Sequence, residues 1–421
     1  MYQVTGLAFW ASTAALLQLA AADAMAPRGG LLVSTDSAHH RSPVPRLNSV
    51  FVSLSVNPDW NTSRWTTLVA DLKAIEVTNV ILADSVTEDK AWYPSKIPGL
   101  SHAGVDVVSS IQPAAPTASL SVSLSLCLCV YLCVAFCLPR HHTHSLSLTP
   151  ACSSSAGRYL RAHRAGCLPQ VEMALHSAQA GGLTVYAGML LPGAWFHHGA
   201  MNATYLRELT ARENAVASEL HSLYGGTYRG TLKGFYHAAE VYSTCCFSST
   251  HRCDLQHVRA LGTMLEPTGQ LIHSLSSSYE YVVAPFAANV SVLETEWWTS
   301  LLELTPSVDI VAFQDGVGVA AGKRSPEAAS ELIKFVSDAV AKQKHMSMWT
   351  DIEIFSHPNY TVAPTQRVLS QLELEWPFVS GATIWEFTAY MDPHGCSASN
   401  RDDCRRLYHD YQRYLAASGT E

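Results

Sequence analysis

The sequence predicts an α/β protein of the (β/α)8 class, a TIM barrel with a low-complexity insertion between strand two and helix two. Two observations carry the prediction. From Ser49 onward, short β-branched or aromatic runs alternate with segments of helical periodicity, eight of each, as expected for a parallel sheet with crossover helices. No Gly-rich phosphate turn follows the first run, which argues against an open doubly wound sheet and against a dinucleotide cofactor; no cofactor is expected. The 421 residues are 48% hydrophobic and 15% charged, so disorder along the whole chain is excluded and one large barrel fits the length.

The candidate strands are Val50 to Val56, Asn79 to Ser85, Leu183 to Met189, Leu232 to Ala239, Tyr279 to Phe286, Val308 to Gln314, Met346 to Ile354 and Val379 to Phe387. Among the helices, one starts at Thr62 and repeats Trp65, Leu68, Val69, Leu72 and Ile75 on one face. Another runs from about Thr204 to Tyr224, with Leu206, Leu209, Val216, Leu220 and Leu223 apolar and Gly225-Gly226 to end it. In Ser325-Pro326-Glu327 a cap, a first-turn proline and an acid suited to the helix dipole precede Leu332, Phe335, Val336, Ala339 and Val340. The barrel is expected over residues 47–415, interrupted by an insertion at 104–167.

Within that insertion, residues 117–155 use a Ser/Leu/Cys/Val alphabet followed by His141, His142 and His144, which is low complexity. Leu120 to Leu138 is long enough to span a bilayer. Serine alternates with leucine at period two, however, and both flanks read as parts of one domain that a span would tear apart, so a loop insertion is expected rather than a membrane segment. Translation of a simple nucleotide repeat carried into a gene model is a further hypothesis. A tryptic peptide from these residues would end it.

The first 26 residues carry an apolar stretch from Thr5 to Ala22 and small residues that fit cleavage at Ala22-Asp23-Ala24 or Ala24-Met25-Ala26, the pattern of a secretory signal peptide. Sequons at Asn61, Asn202, Asn289 and Asn359 agree with a secreted glycoprotein. Eleven cysteines do not form one framework, because Cys127, Cys129, Cys133 and Cys137 crowd into the insertion. Cys396 with Cys404 suits a loop-closing disulfide, and Cys245, Cys246 and Cys253 suggest another after strand four. A zinc site is the rival reading of these thiols, with poor ligand spacing. A formal charge of -8 without a basic cluster excludes tracking of a nucleic-acid backbone.

In a barrel of this kind, polar residues at the carboxyl ends of strands form the site. Strand seven reads MSMWTDIEIF, and period-two alternation puts Trp349, Asp351 and Glu353 inside, with Glu353 nearest the mouth. Strand four, LKGFYHAAEVY, likewise groups Gly234, Tyr236, Ala238 and Glu240. Two glutamates three strands apart can flank a sugar ring. One protonates the departing glycosidic oxygen and the other attacks the anomeric carbon, given a separation of about 5–5.5 Å. Around them, Trp385 and Glu386 close strand eight, and Gln314 and Asp315 lie at the FQDGVG turn after strand six. Trp92 and Tyr93 follow strand two, and Trp195, Phe196, His197 and His198 follow strand three. Aromatic faces there suit pyranose stacking. A carbohydrate partner follows, with the oligomeric state left open.

At these residues the chain resembles the family catalogued as domain of unknown function 4434 (DUF4434), barrel proteins related to glycoside hydrolases. The likeness lies in KAWYPSK (Lys90 to Lys96), GFYHAAE (Gly234 to Glu240), FQDGVG (Phe313 to Gly318), MWTDIEIF (Met348 to Phe355) and TIWEF (Thr383 to Phe387), over about residues 47–103 and 168–393. The resemblance implies a (β/α)8 barrel and carbohydrate chemistry. Its order also resembles the large retaining clan with glutamates on strands four and seven, which implies Glu240 as acid/base and Glu353 as nucleophile. That clan places Asn directly before its acid/base, where this chain has Ala239. A non-catalytic carbohydrate-binding barrel is one alternative. A metal-dependent sugar isomerase or aldolase, drawing on His197, Glu240, Asp315 and Glu353, is the other.

Overall fold

The computed structural model describes residues 44–102, 168–195, 202–242, 255–287, 292–319 and 324–418. The signal peptide, the 104–167 insertion, the Asn289 sequon, Phe196, His197, His198, Cys245, Cys246 and Cys253 lie outside the described residues.

Eight strands pair in chain order and all in parallel: β1 (Ser49–Val52), β2 (Asn79–Leu82), β3 (Thr184–Gly188), β4 (Leu232–His237), β5 (Glu280–Val283), β6 (Ile310–Gln314), β7 (Ser347–Glu353) and β8 (Gly381–Trp385). The sheet nearly closes on itself. Asn48, just ahead of β1, donates its amide to Ala382 O at 3.0 Å and accepts the Ala382 amide on its side-chain oxygen at 2.6 Å. The expected strands overrun the observed ones, mostly at their carboxyl ends. After β1 the chain turns at once, with Asn57 N donating to Leu54 O, so the apolar run in the sequence outlasts the pairing.

The helices α1 (Thr62–Ala74), α2 (Gln170–Gly181), α3 (Ala203–Leu220), α4 (Leu255–Leu275), α5 (Val292–Leu304), α6 (Pro326–Val340), α7 (Thr365–Glu375) and α8 (Arg401–Ser418) complete the alternation. Caps set several starts: Asn61 accepts from Arg64 N, Asn202 from Thr204 N and Tyr205 N, and Ser325 from Ala328 N. Each cap satisfies an amide that the first turn leaves without a partner. Trp65, Leu68, Val69 and Leu72 of α1 are buried as the periodicity requires, and α3 ends in a π-helical turn over His221–Gly225. A disulfide joins Cys396 in the loop after β8 to Cys404 of α8. Among the described residues no helix is long and apolar enough to cross a membrane.

Two apolar cores result. One fills the space between strands and helices. The other is the barrel interior: Phe51, Ile81, Ala83, Tyr186, Tyr236, Ala238, Val282, Ala284, Ile310, Ala312 and Trp349. Gly381 matters to the second, since a Cβ there would stand 2.7 Å from Trp349 Nε1; its absence leaves the space that the indole occupies.

Candidate active site

Alternation along β4 points Tyr236 and Ala238 into the barrel, so the chain arrives at Glu240 above the interior. The Glu240 carbonyl accepts the indole N–H of buried Trp195 at 2.7 Å, and its carboxylate is hydrogen-bonded by Gln314. Gln314 is itself held by donating to Ala284 O at 3.1 Å. Burial pushes the Glu240 carboxyl up to about 7, and the Gln314 bond only partly offsets this.

On β7 the expected inward face is Trp349, Asp351 and Glu353, and all three are buried. Glu353 Oε2 accepts the Val319 amide at 2.7 Å, and its own amide donates to Asp315 Oδ1 at 3.2 Å. Its carboxyl rises to about 8, first from burial and then from the Asp315 charge, against the Val319 amide, Arg324 and the Gly318 amide. Asp351 is driven well above the ordinary aspartate range by burial and then by Asp315, Glu353 and Glu240. Tyr236 keeps its phenolic proton for the same reasons, with Asp351, Glu240 and Asp84 as the charges.

Phe51 bridges the aromatic wall: its ring centroid lies 5.0 Å from Tyr236 and 5.2 Å from half-buried Trp385. The β7–β8 register sets Trp385 beside Glu353. Glu240, Gln314 and Trp385 are therefore the solvent-touching members of a mouth whose floor is Asp351 and Tyr236.

Other expected site residues lie elsewhere. Asp315 follows inward-facing Gln314, so alternation turns it outward. There its carboxylate accepts the Val317 and Glu353 amides and the Gln371 side chain, bracing the loop after β6 against β7 and α7. Glu386 is a helix cap: its Oε1 accepts the Thr388 amide at 3.2 Å and the Thr388 hydroxyl, and burial raises its carboxyl to about 7. Trp92 and Tyr93 are buried in the strand–helix core, because the main chain there turns back to pair Trp92 N with Ser85 O. Trp349 lies deeper than a stacking platform would, with its ring 6.1 Å from Tyr186.

Sequence reasoning missed two members. Phe51 is an inward aromatic on β1, visible in the alternation of Ser49–Val52. Asp84, just after β2, accepts from Ser53 Oγ at 3.1 Å, Leu54 N at 3.2 Å and Thr87 Oγ1, and its charge reaches Tyr236 and Glu386. Its signal was an acid closing a strand. Among the described residues no group of three His, Cys, Asp or Glu side chains is arranged to hold a metal ion.

Residues 152–397, more than half of the chain, match the family described as Domain of unknown function (DUF4434). The match includes β3 to β8 and omits Lys90 to Lys96. No curated protein matches. Among solved structures, a putative alpha-L-fucosidase from Bacteroides thetaiotaomicron superposes with a TM-score of 0.60 at 16% identity, covering 92% of this chain and 99% of that one. The endo-1,4-beta-mannanase of Rhizomucor miehei gives 0.45 at 11% identity, covering 88% and 95%. The first likeness shows a glycoside hydrolase-like barrel fold and no more.

Proposed function

The chain belongs to the DUF4434 family, and from that premise we propose that it is a secreted, retaining glycoside hydrolase with Glu240 and Glu353 as its catalytic pair. The observation that carries the reading is the pair itself. Glu240 after β4 and Glu353 at the end of β7 both act on the Asp351 carboxyl, and both are themselves pushed close to neutrality, beside a wall of Phe51, Tyr236 and Trp385. A Glu240 carboxyl near 7 can give and regain a proton at neutral pH, which general acid–base work requires, whereas Glu353, near 8, must first lose its proton to act as nucleophile.

In the first half-reaction, protonated Glu240 gives its proton to the glycosidic oxygen. The ionised Glu353 attacks the anomeric carbon, and the alcohol leaves. In the second, Glu240 takes a proton from water, whose oxygen displaces Glu353 from the glycosyl ester. Gln314 holds the Glu240 carboxyl in place, while the Val319 amide and Arg324 favour the anion of Glu353. Secretion is supported by the apolar N-terminal stretch, by the Cys396–Cys404 disulfide and by the exposure of Asn61, Asn202 and Asn359.

The test is turnover of a panel of aryl glycosides by the wild-type protein and by Glu240→Gln and Glu353→Gln. The acid/base variant is expected to keep cleaving substrates whose leaving group needs no proton, and the nucleophile variant to cleave none. Unchanged turnover in either variant removes that residue from the pair. A second reading, a sugar-binding barrel without turnover, is favoured by one observation: Glu353 is only 2% exposed and is covered by the Val319 amide. Saturable binding of a glycan with no product would select it.

A further inference from the structure

Below the mouth, Asp351 occupies the inward face of β7 one step beneath Glu353, with Gln314 of β6 and Thr383 of β8 as register partners. It is 1% exposed. Its Oδ1 has no hydrogen-bond partner, and neither has the buried Thr383 hydroxyl beside it. The titratable groups that act on it are Glu353 on its own strand, Asp315 after β6, Tyr236 and Glu240 on the β4 side, and Glu375 at the end of α7; β8 presents Thr383 at this level. None is a cation. Of the two cations acting on this corner, Arg324 donates to the main-chain carbonyls of Asp315 and Ala287, and Arg367 to those of Glu353 and Phe355 and to the Ser356 hydroxyl. Among the described residues Asp351 forms no ion pair. An anion fixed here would be buried, short of a donor and surrounded by acids, an arrangement that proteins avoid by binding a proton.

We propose that Asp351 is a positioning residue: it stays a neutral carboxylic acid through the neutral range, and its proton lets Glu240 and Glu353 share a single negative charge above it. The charge-sharing half rests on the hydrolase reading. The protonation does not, so the two can fail separately.

Protonation is tested without any assay of activity. The unfolded chain has an ordinary aspartate here, ionised above about pH 4, whereas the folded chain keeps the proton. Folding therefore takes up a proton, and this group's contribution to stability falls as pH rises until the folded value is passed. Asp351→Asn abolishes that slope. The Tm of the variant minus that of the wild type is expected to widen by about 2 °C per pH unit between pH 5 and 7. The wild-type-minus-variant infrared difference spectrum at pH 7 should carry one protonated-carboxyl band, the bands of the other raised carboxyls cancelling between the two proteins. A carboxylate band there, a Tm difference that does not widen, or an Asn variant that cannot fold would each overturn the protonation.

Charge sharing is tested by kinetics. Asp351→Asn, neutral like the native group, should leave both limbs of the pH profile of kcat/KM within half a unit of their positions. A shift of both limbs toward acid by a unit or more means that a charge was removed. Asp351→Leu offers no donor and should lower kcat about tenfold with KM unchanged; full activity in it overturns the positioning role.

Discussion

The lower and upper halves of the barrel interior treat their acids in opposite ways. Below, Tyr186 and Trp349 pack with Ile310 and Val282, and the acid at that end, Glu280, accepts the Tyr186 hydroxyl and pairs with Lys233 at 3.1 Å. Above, Glu240, Asp351 and Glu353 form no ion pair among the described residues and are raised toward neutrality or beyond. A fold that needed only to close its barrel would have filled the upper half as it filled the lower one. Acids kept without cations cost stability, and that cost marks where the chain has been shaped for chemistry.

The largest effect that separates the halves is expected from Glu353→Gln. With a nucleophile lost, kcat/KM falls by about a thousandfold or more, while Tm at pH 8 stays level or rises because a strained acid has been replaced by a neutral isostere. A fall in Tm comparable to that of a core mutant would place Glu353 with the lower half. Trp349→Ala makes the converse case. Removing a buried indole costs about 3–5 kcal/mol, or about 5–8 °C in Tm, with kcat/KM of the folded protein changed less than tenfold. A loss of activity without loss of stability would return Trp349 to the sugar site.

A smaller effect lies outside both halves. The Cys396–Cys404 bridge closes a short loop between β8 and α8. In the chain-entropy account a loop of this size is worth about 2.5 kcal/mol, so Cys396→Ser should lower Tm by about 4 °C and leave the pH profile unchanged. The profile of the wild type is itself a check, since carboxyls at about 7 and about 8 predict a narrow bell centred between them. A bell centred near the ordinary glutamate value of about 4.3 would show that the pair ionises as free carboxyls do.

The barrel was legible because its signals are local. Period-two runs, caps such as Ser325 and the inward set Trp349, Asp351, Glu353 depend on neighbours a few residues away, and the structure reproduces them. What failed is what alternation alone does not decide. Position at or just past a strand end directs Glu386 and Asp315 to the mouth on sequence grounds, yet each turns its carboxylate onto amides of its own loop, a competition between local capping and exposure. Trp92 and Tyr93 were misplaced because the segment after β2 pairs back on itself, a tertiary contact with no periodic signature. Asp84 went unnoticed because its partners, Ser53 and Leu54, are 31 and 30 residues away in the chain.

The finest comparison lies within the aromatic wall, where Phe51 meets Tyr236 edge to face and Trp385 at a tilt, and the three differ in access to solvent. Phe51 is fully buried and Tyr236 nearly so, whereas Trp385 is half-buried at the rim beside Glu353. A stacking platform must present a free face, so only Trp385 can cover a pyranose, and the other two hold it in place. Trp385→Ala should therefore raise KM about tenfold, roughly 1.4 kcal/mol, with kcat changed less than threefold. Phe51→Ala should instead lower Tm by several degrees, since it removes the ring on which both partners lean. Equal KM effects from the two substitutions would mean that the wall acts as one surface. A fall in kcat from Trp385→Ala with KM unchanged would mean that the indole positions Glu353 and does not touch the sugar.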